Sequence, residues 1–186
     1  MKKRQIQKRR ASKSDWLSVA LELLASDGVA GVQVQKMARK LGIAKSGFYW
    51  HFRDRDDLLQ QLLDYWSQEF TAVVTANPTL REGDPAKRLL QAMNMILEYD
   101  LAKYEIAIRA WAETDPAVAA KVQEVYQQRF DFVASVLADV GFKGQELTVR
   151  TRLFLCYHTW APVMFRQDSK SKRRRLSKHL LAVFLR

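Results

Sequence analysis

Gln35, Lys36, Lys45, Ser46, Tyr49, His51 and Arg55 crowd into one short stretch of the chain. Cations and hydrogen-bonding side chains of these types, carried on short helices, suit contact with the phosphates and base edges of duplex DNA. Gly47 lies among them, and a residue without a side chain lets the backbone approach a partner closely. The residues elsewhere do not suggest catalysis. His51, His158 and His179 are scattered, and Cys156 and His158 are two apart on an expected helix, so they face different directions. No nucleotide loop, metal-ligand spacing or nucleophile motif appears, so neither an enzyme, a metal nor a cofactor is expected.

These polar residues need elements to hold them. Trp16, Val19, Ala20, Leu23 and Leu24 recur at helical spacing from Ser14, and Gly28 is expected to end that helix. Val34, Met37, Ala38 and Leu41 form a second short stripe closed by Gly42. A third segment, Ala44–Trp50, buries Phe48 and Ile43. Two short helices joined by a tight Gly turn after a supporting helix form a helix-turn-helix, with Ala44–Trp50 as recognition helix.

Charge points the same way. The net charge is +11, and residues 1–55 hold 13 Lys/Arg against 4 Asp/Glu. The rest of the chain is nearly neutral. A localised basic front suits a polyanion through counterion release, or serves as a solubilising tail. Met1–Lys13 carries seven of those cations and no acid, and reads as a flexible arm. It lacks the apolar centre of a signal peptide, and no apolar run reaches the roughly 20 residues of a membrane span. A cytoplasmic protein without membrane contact is expected.

Gly28 to Leu59, GVAGVQVQKMARKLGIAKSGFYWHFRDRDDLL, closely resembles the signature of the tetracycline-repressor (TetR) family of transcriptional regulators. The matching positions are Met37-Ala38, Leu41-Gly42-Ile43, Phe48 through Phe52, and Arg55 with Leu58. The resemblance implies DNA contacts at Gln35, Lys36, Lys45, Ser46, Gly47, Tyr49, His51 and Arg55. Tyr49, His51 and Arg55 would meet phosphates. Gln33 and Ala44 depart from the pattern, because family members usually place a capping hydroxyl at each.

The remainder reads as helices with Asp and Pro at their starts. Asp54 caps a helix reaching about Ala76, Asn77-Pro78 breaks it, and Asp84-Pro85 restarts the chain toward Leu101. Tyr104–Glu113, a long helix from Asp115-Pro116 to Gly141, Gln145–Arg166 and Lys172–Leu185 follow. Pro162 is expected to kink or break its helix, and the basic run Lys170–Arg175 to form a solvated loop. The fold class is all-α, with about nine helices. A basic arm (1–13) and a helix-turn-helix domain (14–53) precede a ligand-binding and dimerisation domain (54–186).

The resemblance implies a ligand pocket and a two-fold dimer in that last domain. An aromatic, Met-rich interior supplies Trp66, Phe70, Met93, Trp111, Tyr126 and Phe130 as pocket candidates, with Tyr99 and Tyr104 beside them; such stripes equally form packed core. Phe154, His158, Phe165, Leu180 and Phe184 are the dimer-interface candidates. The expected protein is a homodimeric repressor, released from a palindromic operator by a small apolar or aromatic effector. The alternative is a regulator or nucleoid-type DNA binder without an effector.

Overall fold

Ser12 caps the first helix. Its side chain accepts from the Asp15 amide at 3.2 Å while Asp15 Oδ2 accepts from the Ser12 amide at 2.8 Å. This reciprocal box satisfies two amides that a helix start leaves unpaired. The computed structural model describes residues 11–186; most of the expected arm therefore lies outside the described residues. Its last residues belong to the fold, with Lys13 opening helix α1.

The described residues are all-α, and they form two compact units that divide between Asp64 and Tyr65. The first contains α1 (Lys13–Gly31), α2 (Val34–Leu41), a 3-10 helix (Lys45–Trp50) and most of α3 (Arg55–Ser67). Gly28 does interrupt α1, with φ 69 and ψ −177, but the chain regains helical turns as far as Gly31. Asp54 caps α3 as expected, its Oδ1 accepting from the Asp57 amide at 2.8 Å. Trp16, Leu21, Leu24, Met37, Phe48, Leu58 and Leu62 are all but fully buried in this unit.

The second unit begins with the last residues of α3, which passes into a π-helical turn (Gln68–Ala72) and the short α4 (Val73–Thr75). The expected single helix to Ala76 thus holds a wider turn, in which the Val73 amide bonds Gln68 O. A 3-10 turn at Pro78–Leu80 leads to α5 (Pro85–Glu98), α6 (Glu105–Ala112), α7 (Pro116–Val140), α8 (Gly144–Met164) and α9 (Lys170–Phe184). Asp84 and Asp115 cap α5 and α7 ahead of their prolines. α7 packs on α5, α6 and α8, and α9 packs on α5.

Four expectations fail here. α5 stops at Glu98, short of Leu101. Pro162 neither breaks α8 nor divides it, because it falls in the last turn and the helix ends two residues later. Lys170–Arg175 is the start of α9 rather than a loop, for Ser169 caps it by accepting from the Lys172 amide. The core of this unit gathers Leu89, Met93, Val133, Val136, Leu137, Phe154 and Phe184. Tyr99, expected inside, is 60% exposed.

Candidate DNA-binding face and ligand cleft

The turn of the helix-turn-helix is fixed by backbone chemistry. Gly42 takes the left-handed conformation at φ 66 and ψ 30, which an L side chain resists. Its amide bonds Arg39 O, and the Ile43 amide reaches back to Ala38 O at 3.1 Å. This is the double closure of a Schellman motif, and it satisfies the last carbonyls of α2.

The next segment is a 3-10 helix, tighter than the helix expected from its pattern. Gly47 N donates to Ala44 O at 3.0 Å and His51 N to Phe48 O at 2.9 Å. Phe48 anchors it, fully buried, with its ring edge-on to Trp16 at 5.5 Å and tilted against Phe52 at 5.1 Å. With that side fixed inward, Lys45, Ser46 and Tyr49 are exposed. Trp50 is 81% exposed as well.

Neither short helix has a side-chain cap. Gln33 and Ala44 occupy the N-cap positions without a capping hydrogen bond, and Gln33 instead donates to Ala30 O. Gly47 has room for more than hydrogen. A Cβ there would meet Ile43 and Trp16 only at 3.8 Å, an ordinary contact, so packing within the unit does not demand glycine.

The expected contact residues divide by their occupation. Gln35 is exposed. Lys36 is bound to Asp27 at 2.7 Å, and this partner holds the Asp27 carboxyl below its usual range. The Arg53 amide does the same for Asp57. His51 Nε2 lies 3.0 Å from Ala11 O, so the carbonyl fixes that nitrogen as the donor. Arg55 is turned inward: Nε donates to Val32 O at 2.8 Å and Nη2 to Val29 O at 2.5 Å. Its fork serves the carbonyls at the end of α1, which explains the residue without a phosphate.

The second unit contains a small cleft, part of it open to solvent. Of the six expected pocket residues, Phe70 alone lines it. Met93 lines a neighbouring cleft and Trp66 and Trp111 are buried packing residues. Phe130, half-buried, lines neither cleft. Tyr126 sits one layer behind, its hydroxyl donating to Glu105 at 2.6 Å. The sequence stripes found the core correctly but could not distinguish filled from hollow. The lining missed by that reading includes Thr71, Glu105, Arg129 and Phe132.

The interface candidates also need correction. Phe154 and Phe184 are buried in their own unit with ring centroids 5.3 Å apart, and His158 packs on Phe154. Leu180 packs against the same core. Phe165 remains exposed. The outward apolar residues of α8 are instead Val149, Leu153, Trp160 and Met164, with Leu176 and Val183 on α9.

Residues 17–62 match the model of the bacterial regulatory proteins, tetR family, across the whole helix-turn-helix. The chain carries the helix-turn-helix of the TetR family. A helix-turn-helix of this type is a DNA-binding unit. The class C tetracycline repressor of Escherichia coli is 26% identical over 155 residues, covering 83% of this chain and 66% of the repressor. A helix-turn-helix transcriptional regulator of Saccharopolyspora erythraea is 27% identical over 170 residues, covering 89% and 67%. The chain thus spans about two thirds of the length of these relatives.

The fold is shared with solved regulators. FadR of Bacillus subtilis, solved with stearoyl-CoA, superposes with a TM-score of 0.70 at 16% identity, covering 94% of this chain and 98% of FadR. AibR, solved with isovaleryl coenzyme A and operator DNA, gives 0.70 at 18% identity, covering 92% and 96%. Among the described residues, no helix is long and apolar enough to cross a membrane.

Proposed function

We propose that this chain is a homodimeric repressor of the TetR family that binds a palindromic operator and leaves it when a small molecule enters the second unit. The observation that carries the DNA-binding part is the short helix held by buried Phe48, with Lys45, Ser46 and Tyr49 exposed around a Gly47 that packing does not require. Lys45 and Ser46 suit base edges or phosphates, Tyr49 a phosphate, and Gln35 the preceding groove edge. Gly47 brings the backbone against the duplex. Trp50 joins this set as an exposed aromatic.

Dimerisation is supported by the face left uncovered on α8 and α9. Val149, Leu153, Trp160 and Met164 repeat at helical spacing, and all are exposed. A large apolar stripe of this kind favours burial against a second copy, and two helices paired across a two-fold axis make a four-helix bundle. Two readers would then address half-sites about 34–36 Å apart.

The effector reading is supported by the cleft, and by the acyl-CoA complexes of FadR and AibR. Coupling between a ligand and operator affinity of this sort typically amounts to ~1–3 kcal/mol. Selection of bound duplexes from a random pool tests the reading. A two-fold symmetric consensus supports it; no enrichment over the starting pool contradicts it.

A further inference from the structure

The cleft wall is mostly apolar, with Phe70, Val74, Ile96, Phe132 and Leu155 among its lining residues. Two full charges reach it, and they neutralise each other. Glu105, 1% exposed, accepts from Arg129 Nη1 at 3.0 and 3.1 Å and from the Tyr126 hydroxyl at 2.6 Å. Arg129 Nε donates to Thr71 at 2.9 Å, and the guanidinium lies 5.4 Å from the Trp66 ring centre. The pair is neutral as a whole.

One lining group, shared with the neighbouring cleft, stands apart. His158 Nε2 is sealed from solvent and has no hydrogen-bond partner among the described residues, and no other sealed side-chain nitrogen or oxygen of the lining is left so. The ring packs on Phe154 at 4.3 Å and Tyr157 at 5.3 Å, both aromatic neighbours rather than carboxylates. A buried polar atom without a partner is costly, and a ligand that supplies the partner recovers that cost. A charged ligand would instead bury its charge beside a pair that is already neutral.

We infer that the cleft takes an uncharged, largely apolar ligand bearing one hydrogen-bonding oxygen, which meets His158 Nε2. This rests on the effector reading and narrows it to one chemical class. An alcohol suits either tautomer of the imidazole, since a hydroxyl both donates and accepts, whereas a ketone or ester needs the proton on Nε2.

The test measures direct binding of three probes with equal tails to the purified full chain without DNA: octan-1-ol, octanoate and octylammonium at neutral pH. Octan-1-ol is expected to bind about tenfold or more tightly than either ion. His158→Phe should weaken the alcohol about tenfold, and His158→Gln should restore most of the loss. Glu105→Gln leaves the Arg129 charge unopposed and should move the preference toward octanoate. If that variant does not fold, the wild-type ranking still decides. Equal or tighter binding of either ion, binding of none, or no effect of His158→Phe would overturn the inference. An ion that binds best and releases DNA would overturn it while leaving the effector reading intact.

Discussion

The Arg55 guanidinium donates to Val32 O at 2.8 Å and to Val29 O at 2.5 Å, tying the start of α3 to the end of α1. Charged hydrogen bonds of this kind contribute roughly 1.5–3 kcal/mol each, and their loss leaves two carbonyls short of a donor. Arg55→Ala should therefore lower the urea stability of the chain by about 2 kcal/mol or more. The salt slope of DNA binding by the protein that remains folded should hardly change. Wild-type stability with a slope reduced by about one would return Arg55 to the phosphates.

Gly47 separates folding from recognition. An added Cβ finds 3.8 Å of clearance from its neighbours, so Gly47→Ala should fold with stability within about 1 kcal/mol of wild type. Its DNA affinity should fall at least about tenfold, if the duplex approaches the backbone there. Titration of the folded variant with the selected duplex is the check, and unchanged affinity would place the DNA elsewhere.

The missing caps can be supplied. Ala44 has φ −71 and ψ 142, an N-cap conformation, but no side-chain oxygen. Ala44→Ser should raise stability by roughly 0.5–1 kcal/mol, read as a higher urea midpoint with the same slope. A lower midpoint would show that the 3-10 helix cannot use a cap.

His158 gives the stability of the second unit a pH dependence. Burial pushes its pKa down to about 4, while an unfolded histidine titrates near 6.5. The unfolded state then binds the proton more readily, so stability is full above about pH 6.5 and falls as pH drops toward 4. The integrated loss is on the order of 3 kcal/mol. Denaturation of wild type and His158→Phe across this range isolates the contribution, since His51 and His179 titrate in both. Parallel curves would contradict it.

Two substitutions on α8, one residue apart, should behave differently. Leu153 is 57% exposed and Phe154 is 1% exposed. Leu153→Asp should leave the fold intact and yield a monomer by light scattering. Phe154→Ala should cost about 3–5 kcal/mol through the cavity it opens. A dimeric Leu153→Asp would move the interface away from this face.

Helix starts were the most legible part of the fold, because Asp54, Asp84-Pro85 and Asp115-Pro116 carry their caps in the sequence. Gly42 likewise announced the turn. The π-turn at Gln68–Ala72 had no such signal, since a wider helical turn needs no special residue type. A run of cations such as Lys170–Arg175 looks solvated in sequence, whereas the Ser169 cap decides that it is helical.

The site was legible to a different depth. Spacing put Lys45, Ser46 and Tyr49 on an exposed surface, but Arg55 looks the same in sequence whether it meets a phosphate or a carbonyl. Helical periodicity also cannot separate a residue facing its own core from one facing a second copy. Phe154 and Leu153 show that difference, and only packing resolves it.

Competition at fixed salt between the selected palindrome and random duplex, for the same labelled protein, tests DNA recognition most directly. A sequence-specific helix-turn-helix reader is expected to prefer the palindrome by about 10³ or more. A ratio near one would contradict it and leave a basic protein that binds DNA by charge alone.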